Sequence, residues 1–273
     1  MGIRLMMKQV QTFAASLFAL AALACSPGGV TTTGGGGGGG GGFADAGLPS
    51  NGRVTDGIAA LYLFNEGTGN TIYDTSQQIP ALDMTIQTPG SVSWTADGLS
   101  INAAASITTS ADRITQSCQA SNAITVELWA QTADITQTAS RIFDFGTGPN
   151  DINFSIAQNE SDAEARLRTT STIELEGEVS ETSSLVDVLA ISGTHLVYSR
   201  SGITDEYALW VNGQRTEVGE LAGSFSAWLP GASLSIANEP LGNRPWRGDI
   251  YLAAVYCRAL APEEIIRNYD EGY

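Results

Sequence analysis

The stretch HLVYSRSGITDEYALWVNGQRTEV, His195 to Val218, holds three short apolar or alternating runs, HLVYSR, YALWV and QRTEV. Turn residues at Ser201-Gly202 separate the first two, and Asn212-Gly213 joins the second to the third. Asn-Gly between alternating runs signals a two-residue type I′ hairpin, because both central residues must adopt positive φ. Runs of the same kind recur on either side: IAALYLF (Ile58 to Phe64), LDMTIQ from Leu82, SVSW ending at Trp94, AITVELWAQ from Ala123, RIFDFG from Arg141, INFSIAQ from Ile152, ARLRT from Ala165, ASLSIAN from Ala232 and DIYLAAVYC from Asp249. So many short strands with regular turn signals predict an all-β sandwich or jelly roll. Two short helices are expected, at Ala111 to Ala120 and at Pro262 to Tyr269. In the second, Pro262 occupies the first turn and Glu263 and Glu264 suit the positive end of the helix dipole.

The chain has 273 residues, with 13 Lys+Arg against 29 Asp+Glu and a net charge of −16. That excludes non-specific binding of nucleic acid or of an anionic membrane by the folded part, since both need clustered cations. Lysine occurs once, at Lys8, and histidine once, at His195. Schiff-base lysine chemistry and clustered-histidine metal sites are therefore excluded from the folded part. His195 lies in an alternating run and is expected to be a partly exposed strand residue.

The amino terminus carries Arg4 and Lys8 and then FAASLFALAAL, an eleven-residue run from Phe13 to Leu23. That is too short for a membrane span and suits an export signal. Ala22-Leu23-Ala24-Cys25 resembles a bacterial lipobox, so residues 1–24 are expected to be a lipoprotein signal peptide, with Cys25 the lipidated mature terminus. The expected location is the bacterial outer membrane or cell surface, with the membrane as a partner through the lipid. Residues 25–56 include nine consecutive glycines, Gly34 to Gly42. They read as a flexible tether, and 57–273 as one domain. Apart from Cys25, the cysteines are Cys118 and Cys257, an even pair that an oxidising compartment would either bridge or leave as buried thiols.

Four segments carry a family resemblance. GIAALYLFNEGTGNTIYDTS, Gly57 to Ser76, resembles the opening strand and turn of laminin G-like, concanavalin A-like jelly-roll domains. AITVELWAQ and the His195 to Gln214 stretch are similar to that family's Trp-bearing strand and following hairpin. LSIANEPLGNRPWRGDIYLAAVYCRALAPEEIIRNY, Leu234 to Tyr269, is similar to its closing pattern. The resemblance implies two antiparallel sheets packed face to face, with the first and last strands adjacent. It also implies that the Trp129 strand and the terminal strand are antiparallel neighbours, which would bring Cys118 and Cys257 together as a disulfide. Such domains often hold calcium where the first loop meets the terminal strand; the residues offered there are Glu66, Asp74 and Asp249. Two departures stand out: ELEGEVSE, Glu174 to Glu181, has no counterpart, and Cys257 stands where the family commonly has Asp or Asn.

Some folds of this class are glycosidases, which need two carboxyl groups about 5–9.5 Å apart in a groove. Glu174, Glu176 and Glu178 have the alternation to share a strand face, but their Ser/Thr-rich surroundings and Gly177 read as a solvated loop. Arg166 and Arg168 share one strand face and are expected to pair with surface acids. Trp129 and Trp210 lie inside strand runs and read as core. Trp228, and Trp246 on the turn Asn243 to Gly248, are the candidates to stack on a sugar, with Arg244 beside them. The leading expectation is a non-catalytic binding or adhesion module for a carbohydrate or an extracellular protein, requiring no cofactor. The alternatives are a concanavalin A-like glycoside hydrolase or polysaccharide lyase, and a structural envelope lipoprotein.

Overall fold

A computed structural model describes residues 52–174, 179–180 and 183–273. The expected signal, Cys25, most of the tether, and Glu176 and Glu178 lie outside these residues. Among the described residues the chain forms sixteen strands and two α-helices. In order they are β1 (Ile58–Tyr62), β2 (Thr71–Ile72), β3 (Met84–Ile86), β4 (Val92–Trp94), β5 (Leu99–Ile101), β6 (Ile107–Ser110), α1 (Asp112–Ser121), β7 (Ile124–Thr132), β8 (Ser140–Gly146), β9 (Ile152–Asn159), β10 (Asp162–Leu167), β11 (Ser183–Leu185), β12 (Thr194–Arg200), β13 (Glu206–Val211), β14 (Gln214–Glu220), β15 (Ser233–Ile236), β16 (Gly248–Tyr256) and α2 (Pro262–Glu271).

Two antiparallel sheets result. The first runs β14-β13-β12-β7-β16-β5-β4, and β1 also pairs with β16, so the first and last strands are adjacent as the resemblance implies. The second runs β11-β10-β9-β8-β15-β6-β3-β2. Alternation decides which side chains enter the space between the sheets. Ile124, Val126 and Leu128 of β7 meet Phe143, Phe145, Phe154 and Ile156 of β8 and β9 in one buried cluster. Burying each such side chain is worth roughly 1.5–3 kcal/mol. At the β13–β14 hairpin, Asn212 and Gly213 have φ of 50° and 73°, as a type I′ turn needs, and Val211 pairs with Gln214.

The first sheet has a second apolar layer on its outer face. Val197, Trp210, Leu252, Ala254 and Tyr256 pack there against Leu260 and Ile265, at the start of α2. That cover buries His195 completely, so the expectation of a partly exposed residue is corrected: the helix following the last strand folds back over it. The domain boundary also moves. Val54 is buried in the same cluster, its carbonyl accepts from Tyr256 Oη at 3.0 Å, and Arg53 reaches Glu127 at 2.5 Å. The folded unit thus begins ahead of residue 57.

Cys118 in α1 and Cys257 after β16 form a disulfide, with Cα atoms 4.4 Å apart. Thr125 of β7 pairs with Tyr256 of β16, which sets the end of one strand beside the start of the other. Replacing both cysteines by Ala is expected to cost about 2–4 kcal/mol, chiefly by freeing the unfolded chain. Urea unfolding of the parent and the double variant measures it, and unchanged midpoints would refute it.

Candidate functional site

On β10, Ala163, Ala165 and Leu167 are buried in the core, which sends Glu164 and Arg166 to the outer face of the second sheet. A groove of about 600 Å³ opens there. Glu164, Arg166, Arg141 of β8, Asn159 of β9, Asn150 of the β8–β9 connection and Arg244 of the β15–β16 connection line it. The backbone joins the two most distant contributors, since Arg141 N donates to Arg244 O at 2.9 Å. Arg166 pairs with Glu164 at 3.3 Å. Arg141 is only 3% exposed, yet its side-chain polar contacts among the described residues are long: Nη2 to Pro149 O at 3.5 Å and Nε to Asp144 Oδ2 at 3.5 Å. Burial lowers the Arg141 pKa against the pull of Asp144, and the charges of Arg166 and Arg244 push it the same way.

Behind the groove runs a row of buried polar groups. Asp144 of β8 stands opposite Ser155 of β9 on one side and Ser235 of β15 on the other. Neither carboxyl oxygen of Asp144 has a hydrogen-bond partner among the described residues, nor do the hydroxyls of Ser155 and Ser235. Native proteins leave few such groups, and each calls for an explanation. Burial raises the Asp144 carboxyl from 3.8 to about 8, against the opposing charge of Arg141 and with a further push from Glu239. Burial thus disfavours the Asp144 charge, and its carboxyl meets Arg141 Nε only at 3.5 Å, without a hydrogen bond.

The sequence candidates fare differently. Arg244 lines the groove, but Trp246 beside it is fully buried, with Nε1 donating to Gln158 Oε1 at 2.7 Å. A Cβ on Gly248 would run into the Trp246 ring, so glycine there lets the ring turn inward. Trp228 is 4% exposed and donates to Arg168 O. Neither Trp offers a face to a ligand, which corrects the stacking expectation. Trp210 is buried, though beneath the α2 layer, and Trp129 lies on that same outer face with its ring stacked on Tyr269. Arg168 is buried and donates to Ile152 O, and Arg166 pairs with Glu164 as expected of a surface arginine. Glu174 reaches the groove's edge.

Glu66, Asp74 and Asp249 do not assemble a cation site. Asp74 Oδ1 accepts from the backbone N–H groups of Leu61 and Ser76, and Oδ2 from Leu82 N and Arg113 Nη2. A calcium ion would have to displace four donors, one of them cationic. Glu66 accepts from Tyr73 N, and Asp249 accepts from Ser100 Oγ. Among the described residues no group of three or more His, Cys, Asp or Glu side chains is placed to hold a metal ion. The calcium expectation therefore does not fit these residues.

The sequence reading missed a second polar cluster, beneath α2. Glu127 Oε1 accepts from Arg53 Nη1 at 2.5 Å and His195 Nε2 at 2.9 Å, and Oε2 accepts from Asn268 Nδ2 at 2.8 Å. Burial opposes the Glu127 charge, but the His195 hydrogen bond and the Arg53 charge outweigh it and hold the carboxyl below its usual range. Arg53 Nη2 also donates to Gly272 O. The cluster ties the start of the folded unit to α2 through the buried carboxylate of Glu127.

Comparison with known proteins matches these elements to a family. A laminin G-type model of the concanavalin A-like lectin/glucanase superfamily matches residues 102–266. No curated protein matches the chain. Among solved structures, the receptor binding domain of botulinum neurotoxin C/D mosaic serotype is 12% identical with a TM-score of 0.61, covering 80% of this chain and 52% of that one. Trypanosoma rangeli sialidase in complex with sialic acid is 16% identical with a TM-score of 0.59, covering 81% of this chain and 34% of that one. Botulinum neurotoxin serotype D ligand binding domain in complex with N-acetylneuraminic acid is 12% identical with a TM-score of 0.57, covering 80% and 52%. The chain spans from a third to about half of these structures, and at such identities the likeness is one of fold.

Proposed function

The chain belongs to the concanavalin A-like lectin/glucanase superfamily, and from that premise we propose that it is a carbohydrate-binding module whose site is the groove over β8 and β10. The observation that carries this reading is the convergence of Arg141, Asn150, Asn159, Glu164, Arg166 and Arg244 on one open space of about 600 Å³. Planar amide, carboxylate and guanidinium groups suit the paired hydroxyls of a sugar, and the volume lies in the range of ligand pockets. Two of the similar structures are complexes with sialic acid or N-acetylneuraminic acid, which favours a glycan over a protein ligand. A glycan and polysaccharide array probed with the full chain is expected to give binding that Glu164→Ala weakens at least ten-fold. An array with no bound glycan would leave the structural envelope role standing instead.

One observation favours the hydrolase alternative. Asp144, raised to about 8, has the protonation of a general acid at neutral pH. Its carboxyl lies beneath the surface, however, and Glu164 is tied to Arg166, so the module reading is preferred. New reducing ends from a bound polysaccharide, abolished in Asp144→Asn, would reverse that preference.

We further propose that the module is exported and displayed through an acylated Cys25 on the Gly-rich tether, which as a coil of some 30 residues has a reach of about 30 Å. Palmitate labelling of the parent but not of Cys25→Ala is the expected result.

A further inference from the structure

We infer that the ligand of this groove carries an anionic sugar substituent, a carboxylate or a sulfate, seated between Arg141 and Arg244; the inference rests on the groove being a carbohydrate site and names the class of sugar it takes. The argument begins with charge. The chain has a net charge of −16 and 13 Lys+Arg in all, yet three arginines share this one groove. Like charges brought together destabilise one another unless something answers them. Glu164 answers Arg166 at 3.3 Å. Arg244 is half-buried, and its guanidinium has no hydrogen bond or ion pair among the described residues. The Arg141 side chain is 4% exposed and its Nε makes no hydrogen bond.

A buried guanidinium short of acceptors is the second, independent observation. It has five N–H donors, and among the described residues the one hydrogen bond they make is the long contact to Pro149 O. Asp144 lies 3.5 Å from its Nε and makes no hydrogen bond to it, and burial works against the Asp144 charge. Desolvating a cation without an acceptor is costly, and a bound oxyanion supplies both the charge and the paired acceptors that a planar guanidinium fits. The backbone bond from Arg141 N to Arg244 O keeps the two arginines adjacent. A neutral sugar would satisfy the amide and carboxylate rim and leave these two charges unanswered.

The test compares matched polymers on the full chain by isothermal calorimetry at pH 7: polygalacturonate, the same polymer with its carboxyl groups reduced to alcohols, and heparin. Polygalacturonate or heparin is expected to bind at least ten-fold tighter than the reduced polymer, and which of the two does so tells carboxylate from sulfate. Arg244→Ala is expected to lose at least ten-fold, while Arg244→Lys recovers only part, because an ammonium cannot pair with two oxygens in a plane. Arg247→Ala, a substitution on the same connection at a side chain 51% exposed and paired loosely with Asp134, is expected to leave affinity unchanged. Equal binding of the acidic and reduced polymers, or binding indifferent to Arg244→Ala, would overturn the anionic class while leaving the carbohydrate site intact. Failure of these polymers beside neutral glycans bound on the array would do the same. Failure of every glycan would instead remove the site itself.

Discussion

Glu127→Ala is expected to destabilise the fold by about 3–5 kcal/mol, the range for removing one partner of a buried charged pair. The carboxylate is fully buried and accepts from Arg53, from His195 and from Asn268 of α2. Without it, one cation and two polar side chains lose an acceptor that water cannot replace. The effect has a pH signature. The folded-state pKa of Glu127 is lowered, so its contribution is fully present above the unfolded value of about 4.3 and is lost as pH falls through the folded value. Urea unfolding should therefore separate parent from variant most at pH 6–7, with the gap narrowing in acid below about pH 4. A gap under 1 kcal/mol at neutral pH would show that Arg53 and His195 find other partners.

Asp144→Asn is expected to move stability the opposite way. The Asp144 pKa is raised from 3.8 to about 8 by burial, against the pull of Arg141. The folded state thus holds a proton that the unfolded chain releases above about pH 4. Stability from this group is fully present below the unfolded value and is lost as pH rises through the folded one. Between the unfolded value and pH 7 lie roughly three pH units, each worth 1.36 kcal/mol, so the cost relieved by a neutral amide is on the order of 4 kcal/mol at pH 7. It should vanish near pH 4, where both states of the parent carry the proton. Thermal unfolding of parent and variant from pH 4 to 9 reads it directly. Curves that stay parallel over that range would mean that Asp144 is ionised in the fold and matched by Arg141.

Much of the sandwich was legible because its signals are local. Strand alternation located the cores of β7, β8, β9, β12, β13 and β16, and Asn212-Gly213 located the hairpin turn. Pro262 with the two glutamates located α2. The disulfide came from the family resemblance, which implied that β7 and β16 are neighbours. Shorter strands went unread: β2 has two residues, and β5 and β11 three each, too few for a period to show.

The site was less legible because it depends on what folds over what. Arg141 and Asp144 fall on either side of a register shift between Arg141 and Phe143, so parity along RIFDFG does not assign their faces. Arg244 reaches Arg141 through a long-range backbone bond that neither segment announces. Trp246 stands on a turn, as expected, but the turn closes inward and buries its ring. His195 sits on a strand, as read, and α2 then covers it. In each case the residue type and the local structure were readable, and the neighbouring segment that decides exposure was not.

The central claim, that the face over β8 and β10 binds carbohydrate, is tested most directly by hydrogen exchange on the full chain with and without the polysaccharide that binds best on the array. The account predicts slowed exchange at Asn150, Asn159 and Arg244 around the groove, with the α2 face unchanged. Slowing confined to α2 and the strands beneath it, with the groove amides exchanging as in the free protein, would contradict it.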